Sequence, residues 1–449
     1  MVTMKKTIQW VAGVLGIVVV FYVFCFATHL FVSPPDVTFV GKMKRADSIG
    51  GQIFDHEKVM HAAGGRTNVR STRFSITGLP LQHYVMRLWQ RVNPFPVMGK
   101  VIVYENVLPT VSSTQSLSLS RVFRLPLWGF KKKNHIIIAY SMFESTAIPE
   151  LWVSTFNRHF DAIAVPDPFL VDVYKKSGVT IPIFVVPLGL HYGQSLTVPL
   201  KAETNKPFVF SNLSVIIDRK NTLKTIQAFV KAFGDRPDVQ LRLNGREFDT
   251  GYLNQCRHEI KKSGVHNVHI TTRSLPRSVF NQWLYDSDCY ISLSKGEGFS
   301  YIPREAMALG VPVIVTDNTG QSAIAGSGLV GVVPSRIERQ AVYTIEKQFL
   351  AKGINYDFDI DDAVAAMRHV VDNHDDYLKR GHQCRQWAMG YAYTNPVLQK
   401  KYIRLFLRPM QSRIGECDDV QEDGLVFDRN NPSSIRLMHK YIRLFALNK

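Results

Sequence analysis

Cysteine is scarce: five occur in 449 residues, Cys25, Cys256, Cys289, Cys384 and Cys417, an odd number with no C-x-x-C pair. That excludes a disulfide-stapled module and a cysteine zinc site, and it places the main body in a reducing compartment. Charge is sparse too, at 20% of the chain against 45% hydrophobic residues, which is too apolar for disorder. The length suits two or three domains. Acidic residues are outnumbered, 37 against 54 Lys and Arg, for a formal net charge of +17. Such a balance suits nucleic acid, an anionic bilayer or a phosphorylated substrate alike, so its distribution has to decide.

The longest absence of charge runs from Thr7 to Pro35, where no Asp, Glu, Lys or Arg occurs and Val, Ile, Leu and Phe dominate. This predicts one transmembrane helix over about 8–31, an anchor occupying residues 1–34, since a bilayer core needs ~20 helical residues. A cleaved signal peptide would have an apolar region of only ~7–15 residues followed by a small-residue cleavage site, whereas here the apolar run continues. Lys5 and Lys6 before the helix balance Lys42, Lys44 and Arg45 after it, which leaves its orientation open.

Beyond Pro34-Pro35, short apolar runs at 37–40, 135–139, 162–165 and 183–186 read as strands. Between them lie helical patterns, one opened by Gly50-Gly51 and closed by Gly64-Gly65, another over 169–177. Alternation of this kind predicts a parallel sheet with helices on both faces over residues 35–200. A polar connection at 195–207 separates it from a second series, with strands at 208–210, 240–243, 268–270, 289–293 and 311–315 and helices at 221–233 and 304–309. The fold class is therefore α/β: two Rossmann-like doubly wound domains, the second over 206–390, preceded by the membrane helix. Ligands of such sheets lie beyond the carboxyl ends of the strands, so the loops after Leu243, Ile270 and Leu293 are where a nucleotide is expected. Residues 391–449 form helices and a tail, part of which returns to the first domain. In that tail Lys-Tyr-Ile-Arg-Leu-Phe occurs twice, at 401–406 and 440–445.

Directly after the strand ending at Leu293 stands the phrase S-K-G-E-G-F-S-Y-I-P-R-E-A-M-A-L-G-V-P-V-I, with Glu297 in a glycine loop and Glu305 in the following helix. Gly296 and Gly298 let the backbone come close to a ligand, and amides at the helix start can donate to anionic groups. A carboxylate in that loop can accept two hydrogen bonds from vicinal hydroxyls, as a sugar or ribose offers. Taken alone, the pair reads equally as a helix-start charge and a surface salt bridge. The whole phrase resembles the GT-B glycosyltransferases, specifically the retaining family-4 type with its E-x7-E motif. That resemblance implies that Glu297 contacts the transferred sugar and Glu305 the ribose, with Gly296, Gly298, Phe299 and Ser300 lining the donor. It extends to Arg219-Lys220-Asn221, similar to the family's diphosphate-binding turn, although the Arg often found five residues before the Lys is Val215 here. Asn244-Gly245 and Thr272-Arg273-Ser-Leu275-Pro276 resemble loops that face the nucleotide, Gly50-Gly51 the family's first glycine loop, and 144–149 and 186–191 later landmarks of the first domain.

The resemblance implies a retaining, metal-independent transfer of a hexosyl-type sugar from a nucleotide-diphosphate sugar, with Lys220 and Arg219 stabilising the leaving diphosphate and no cofactor beyond the donor substrate. The acidic cluster Asp357, Asp359, Asp361 and Asp362 reads as a helix start with Asp361 near the cap rather than a metal site. His266 and His269 lack metal-ligand spacing. The acceptor expected is a glycan, glycolipid or glycoprotein. Residues 32–205 carry 19 Lys and Arg against 11 Asp and Glu, and 121–133 interleave aromatics with cations. With an anchor in the same chain, that surface points to an anionic bilayer rather than nucleic acid. The catalytic body is expected in the cytoplasm if bacterial and in the Golgi lumen if eukaryotic. A catalytically inactive nucleotide-sugar-binding or scaffold protein of the same fold is the alternative.

Overall fold

The apolar runs form the central strands of two parallel sheets. The computed structural model describes residues 16–17, 19–21, 23–24, 27, 33–41, 48–71, 98–105, 135–192, 198–345, 348–407 and 431–446. Most of the expected anchor, 8–31, lies outside them, as does the aromatic and basic stretch 121–133. Among the described residues no helix is long and apolar enough to cross a membrane. The described positions between 16 and 27 are helical, and Ile17, Val19, Val20, Val23 and Phe24 are exposed.

The first domain contains β1 (Val37–Gly41), α1 (Ser48–Ala62), β2 (Thr67–Ser71), β3 (Val101–Glu105), β4 (Ile136–Tyr140), α2 (Glu150–His159), β5 (Ala162–Val165), α3 (Phe169–Lys176) and β6 (Ile183–Val185). Its sheet runs β2-β1-β3-β4-β5-β6, all parallel. β1, β3, β4 and β5 are buried along their whole length, as strands covered on both faces must be. β2 and β3 are additions to the strands read from the sequence. Gly50 and Gly51 lie within the first turn of α1 rather than in a loop.

The second domain comprises β7 (Phe208–Leu213), a 3₁₀ turn (Asp218–Lys220), α4 (Thr222–Phe233), β8 (Val239–Asn244), α5 (Thr250–Ser263), β9 (Val268–Thr271), α6 (Arg277–Tyr285), β10 (Cys289–Ser292), α7 (Tyr301–Leu309), β11 (Val313–Thr316), α8 (Ser322–Ala325) and β12 (Gly331–Val333). Its order is β12-β11-β10-β7-β8-β9, a doubly wound sheet whose order reverses between β7 and β10. The loops that leave these two strands meet at the switch point, where such folds bind ligands. An antiparallel hairpin follows, β13 (Ile337–Ile345) and β14 (Gln348–Asp357), then α9 (Ile360–Asp372), α10 (His374–Lys379), α11 (Gly381–Met389), α12 (Pro396–Tyr402), a π-helical turn (Ile403–Leu407) and α13 (Pro432–Ala446). The cap of α9 is Asp359, whose carboxylate accepts from the Asp361 amide at 2.8 Å, two residues before the expected position. Asp357 is bound to Asn221 at 2.9 Å and Lys224 at 3.1 Å.

Both copies of the repeated hexapeptide serve the first domain. α12 packs on α1, and its buried Tyr402 donates to the Pro187 carbonyl at 3.1 Å. α13 packs on β4, where Lys440 pairs with Asp161 at 2.6 Å and Tyr441 donates to the Leu405 carbonyl at 2.9 Å. The second copy thus docks on the first.

Under α12 lies a buried polar pair. His56 Nδ1 is 2.6 Å from the Tyr402 hydroxyl, and its Nε2 is 3.6 Å from Glu105, whose two carboxyl oxygens have no hydrogen-bond partner among the described residues. Burial lowers His56 to about 3 and raises Glu105 well above the usual range, with Asp55 and Glu57 adding to the rise. Burial thus opposes the charged form of both partners in this contact. Both shifts cost stability, at opposite ends of the scale. Above about pH 4.5 the unfolded Glu105 ionises while the folded one keeps its proton, so stability falls as pH rises. His56 costs stability as pH falls below about 6.5. Glu105→Gln is thus expected to melt higher than the wild type at pH 8, with the gain fading towards pH 4.5; a gain independent of pH would refute the assignment.

Candidate active site at the interdomain cleft

The turn after β7 and the loop after β10 bring three charged residues together. Asn221, in the left-handed conformation that asparagine tolerates, ends the 3₁₀ turn and starts α4, so Arg219 and Lys220 project from the amino end of that helix. The Lys295 amide and the Ser294 hydroxyl bind the Arg219 carbonyl at 2.8 and 3.2 Å, which ties the two loops to each other. Lys220 donates to Glu297 Oε1 in a charge-assisted hydrogen bond. Arg219 lies 3.4 Å from Glu297 Oε2 and donates to the Gly296 carbonyl at 2.5 Å. The Thr319 hydroxyl accepts from the Glu297 amide at 2.7 Å. Burial pushes the Glu297 carboxyl up, but Lys220 and Arg219 together outweigh it and hold the group below its ordinary value. Lys220 is pulled down by burial against the opposing field of Glu297.

The first domain completes this cluster. Glu144, in the loop after β4, reaches Arg219 Nη2 at 3.3 Å. A Cβ on Gly296 would stand 2.1 Å from the Glu144 carbonyl oxygen, and one on Gly298 2.9 Å from the Met142 side chain. The missing side chains of the two glycines make room for the first domain, a role separate from the ligand approach expected from the sequence. The neighbours differ in kind, a fixed carbonyl against a flexible thioether, so Gly296→Ala should hurt more than Gly298→Ala. A misplacement of ~1 Å at reacting groups can cost ~100-fold in rate. Gly296→Ala is expected to lose turnover on that order and Gly298→Ala several-fold less, as read from initial rates; equal losses would show that contact with the first domain is not what the glycines serve.

Glu305 is placed apart from this cluster, on α7, where Arg277 at the start of α6 binds it at 2.5 Å. Asp55 of α1 stands in the field of both, its carboxyl pushed up to about 7 by burial with Glu305 adding, against Lys58 and Arg277. Ser300 starts α7 with a positive φ of 63° and accepts from Gln321 at 3.3 Å. The buried Phe299 ring turns into the protein against Arg304, which also donates to the Phe299 carbonyl. Asn244 is committed to structure: its Oδ1 accepts from the Arg273 amide at 3.0 Å and its Nδ2 donates to the Arg273 carbonyl at 3.1 Å. Gly245 lies against Ser214, whose carbonyl a Cβ would meet at 1.5 Å. Arg273 is exposed and Leu275 half-buried on the turn that Asn244 holds. The structure thus gathers Arg219, Lys220, Glu297 and the 296–300 loop, and sets Glu305 on α7 and the 273–275 turn after β9. Arg304, Arg277 and Thr319 were not singled out as site residues from the sequence, and Glu144 stood there only as a landmark.

Residues 199–343 match the family model of the glycosyl transferases group 1. This segment spans β7 to most of β13 and contains the whole second-domain part of the cluster. Over this segment the chain is similar to the group 1 glycosyl transferases. No curated protein matches the chain in sequence. Solved structures agree with its overall architecture at low identity. Sucrose-phosphate synthase from Thermosynechococcus elongatus superposes with a TM-score of 0.56 at 12% identity, over 83% of this chain and 98% of that one. A glycosyltransferase from Rickettsia africae gives 0.55 at 12% identity, over 85% and 100%. HepE from Anabaena, solved with UDP and glucose, gives 0.54 at 11% identity, over 82% and 98%. These likenesses show the GT-B fold, built of two parallel-sheet α/β domains.

Proposed function

We propose that the protein is a membrane-anchored, retaining glycosyltransferase that moves a hexosyl-type sugar from a nucleotide-diphosphate sugar to a glycan, lipid-linked or protein acceptor. The observation that carries this reading is the Arg219–Lys220–Glu297 cluster at the switch point of a domain similar to the group 1 glycosyl transferases, with Glu144 of the first domain closing it. Two cations at the amino end of α4 suit a departing diphosphate, whose charge they neutralise as the glycosidic bond breaks. Glu297, ionised and held by both, faces the position of the sugar, and Glu305 on the next helix takes the ribose. The acceptor approaches from the first domain, on the face from which the diphosphate leaves. The uncharged run 7–35 supports an anchor, as do the exposed apolar helical positions within it. Val215, where the family often has Arg, leaves room for an inactive scaffold, but the presence of both glutamates and Lys220 sets the transferase ahead of it.

The test is a screen of the purified full-length protein in detergent against UDP-, GDP-, ADP- and CMP-sugars, with thermal stabilisation and donor turnover read beside Glu297→Ala. One stabilising donor whose turnover is lost in the variant supports the enzyme. Absence of binding by every donor would overturn the reading.

A further inference from the structure

We propose that Glu144 is a built-in stand-in for the donor's diphosphate, a first-domain carboxylate that holds Arg219 until a diphosphate displaces it. This rests on the reading of Arg219 and Lys220 as the phosphate-binding pair. The charges in the cluster balance: two cations, Arg219 and Lys220, against two carboxylates, Glu144 and Glu297. The adjacent Lys295 is taken by Asp218 at 2.7 Å. An incoming diphosphate adds negative charge to a neutral cluster and repels the carboxylates there, so displacing one of them frees a cation to serve it.

Which carboxylate leaves follows from how each is held. Glu297 has a side chain only 7% exposed, bound by Lys220 and Arg219, and its backbone is fixed by Thr319. Glu144 is 30% exposed, and its carboxylate reaches the cluster at Arg219, 3.3 Å away. Its loss exposes a carboxylate to water, where it is readily solvated, whereas loss of Glu297 would strand a buried charge. Arg219 keeps its place in either case through the Gly296 carbonyl.

The movement is confined to the side chain. The backbone beside Glu144 is pinned to the edge of β14: the Thr146 amide donates to the Ile354 carbonyl at 3.3 Å, the Ile354 amide to the Thr146 hydroxyl at 2.9 Å, and the Ser145 hydroxyl to the Lys352 carbonyl at 2.9 Å. Gly353, at φ +74°, allows this approach, since a Cβ there would meet the Ala147 amide nitrogen at 2.6 Å. With the loop held on one side by the hairpin and on the other by Gly296, a change of rotamer at Glu144 is the cheap motion.

The experiment is isothermal titration of inorganic pyrophosphate, UDP, GDP and ADP into the full-length protein in detergent, comparing wild type, Glu144→Gln, Glu144→Asp and Glu150→Gln. Glu150 pairs with Lys352 in the same region and is almost fully exposed, so it controls for general surface charge. Glu144→Gln keeps the shape and removes the competing charge. It should bind pyrophosphate, and whichever nucleotide the wild type prefers, roughly fivefold more tightly, as an incompletely buried pair would give. Glu144→Asp should fall between, and Glu150→Gln should match wild type. In turnover the donor KM of Glu144→Gln should drop by the same factor without a rise in kcat, whereas a merely structural role would raise KM. Nucleotide binding by wild type with equal or weaker binding by Glu144→Gln would overturn the stand-in and leave the transferase reading intact. Failure of every ligand with every variant would overturn both.

Discussion

Glutamine in place of Glu297 is expected to reduce sugar transfer by roughly a hundred- to a thousandfold, the range seen when one electrostatic contact to a reacting centre is removed. The substitution is nearly isosteric, so the loop between Gly296 and Gly298 keeps its path, and the loss reports charge rather than shape. The same change should lower stability. Lys220 would retain its burial and lose its counter-ion, while Arg219 would keep Glu144 at 3.3 Å. One buried charge is therefore left uncompensated, which costs about 3 kcal/mol. The pH dependence has a definite sign. The folded pKa of Glu297 lies below its unfolded value, so its contribution is complete above about pH 4.5 and is lost as pH falls through the folded value. Wild type and Glu297→Gln should accordingly differ in melting temperature at pH 7.5 and converge in acid. Unchanged turnover, with the donor shown to bind, would remove Glu297 from the reaction.

The strands and phrases that could be read from the sequence are those whose cause is local. The strands β4, β5 and β7 to β11 are short apolar runs between turn residues, and the E-x7-E phrase is contiguous. β2 escaped because its residues, Thr-Asn-Val-Arg-Ser, carry little apolar signal and take their shape from pairing with β1. The β13–β14 hairpin escaped for a related reason: among the described residues its strands form a two-stranded sheet of their own and leave Val342 exposed, outside the half-buried pattern that alternation reports. Its purpose lies in the other domain, at 144–147, which no local pattern encodes. Gly296 and Gly298 were visible as glycines but not as contacts with the first domain, because Glu144 and Met142 come more than 150 residues earlier. Asn244 was visible as a sheet-end residue, and its bonds to Arg273 across two strands were not.

Arg304 is the most instructive of the hidden residues, and its replacement by lysine should cause the largest loss of stability, about 3–5 kcal/mol as for a broken buried charge network. Its place in the helix after a glycine loop suggests an exposed charge, yet the side chain is fully buried. The guanidinium donates to the Phe299 carbonyl and to the Ser300 carbonyl at 3.0 Å, and lies 4.0 Å from the centre of the Phe299 ring and 4.5 Å from that of Tyr391. Asp167 of the first domain is 3.7 Å away. Which partner dominates can be decided. Burial pushes the Asp167 carboxyl up, against the opposing field of Arg304, and at 3.7 Å no hydrogen bond joins them. The two carbonyls and the two rings need the planar fork that lysine lacks. Asp167→Asn should therefore cost under about 1 kcal/mol, whereas Arg304→Lys should release the 299–300 backbone that borders the proposed donor site. Thermal melts of the two single variants and the double variant supply the cycle. A loss on Asp167→Asn as large as that on Arg304→Lys would move the weight to the interdomain ion pair, and donor affinity would then fall equally in both.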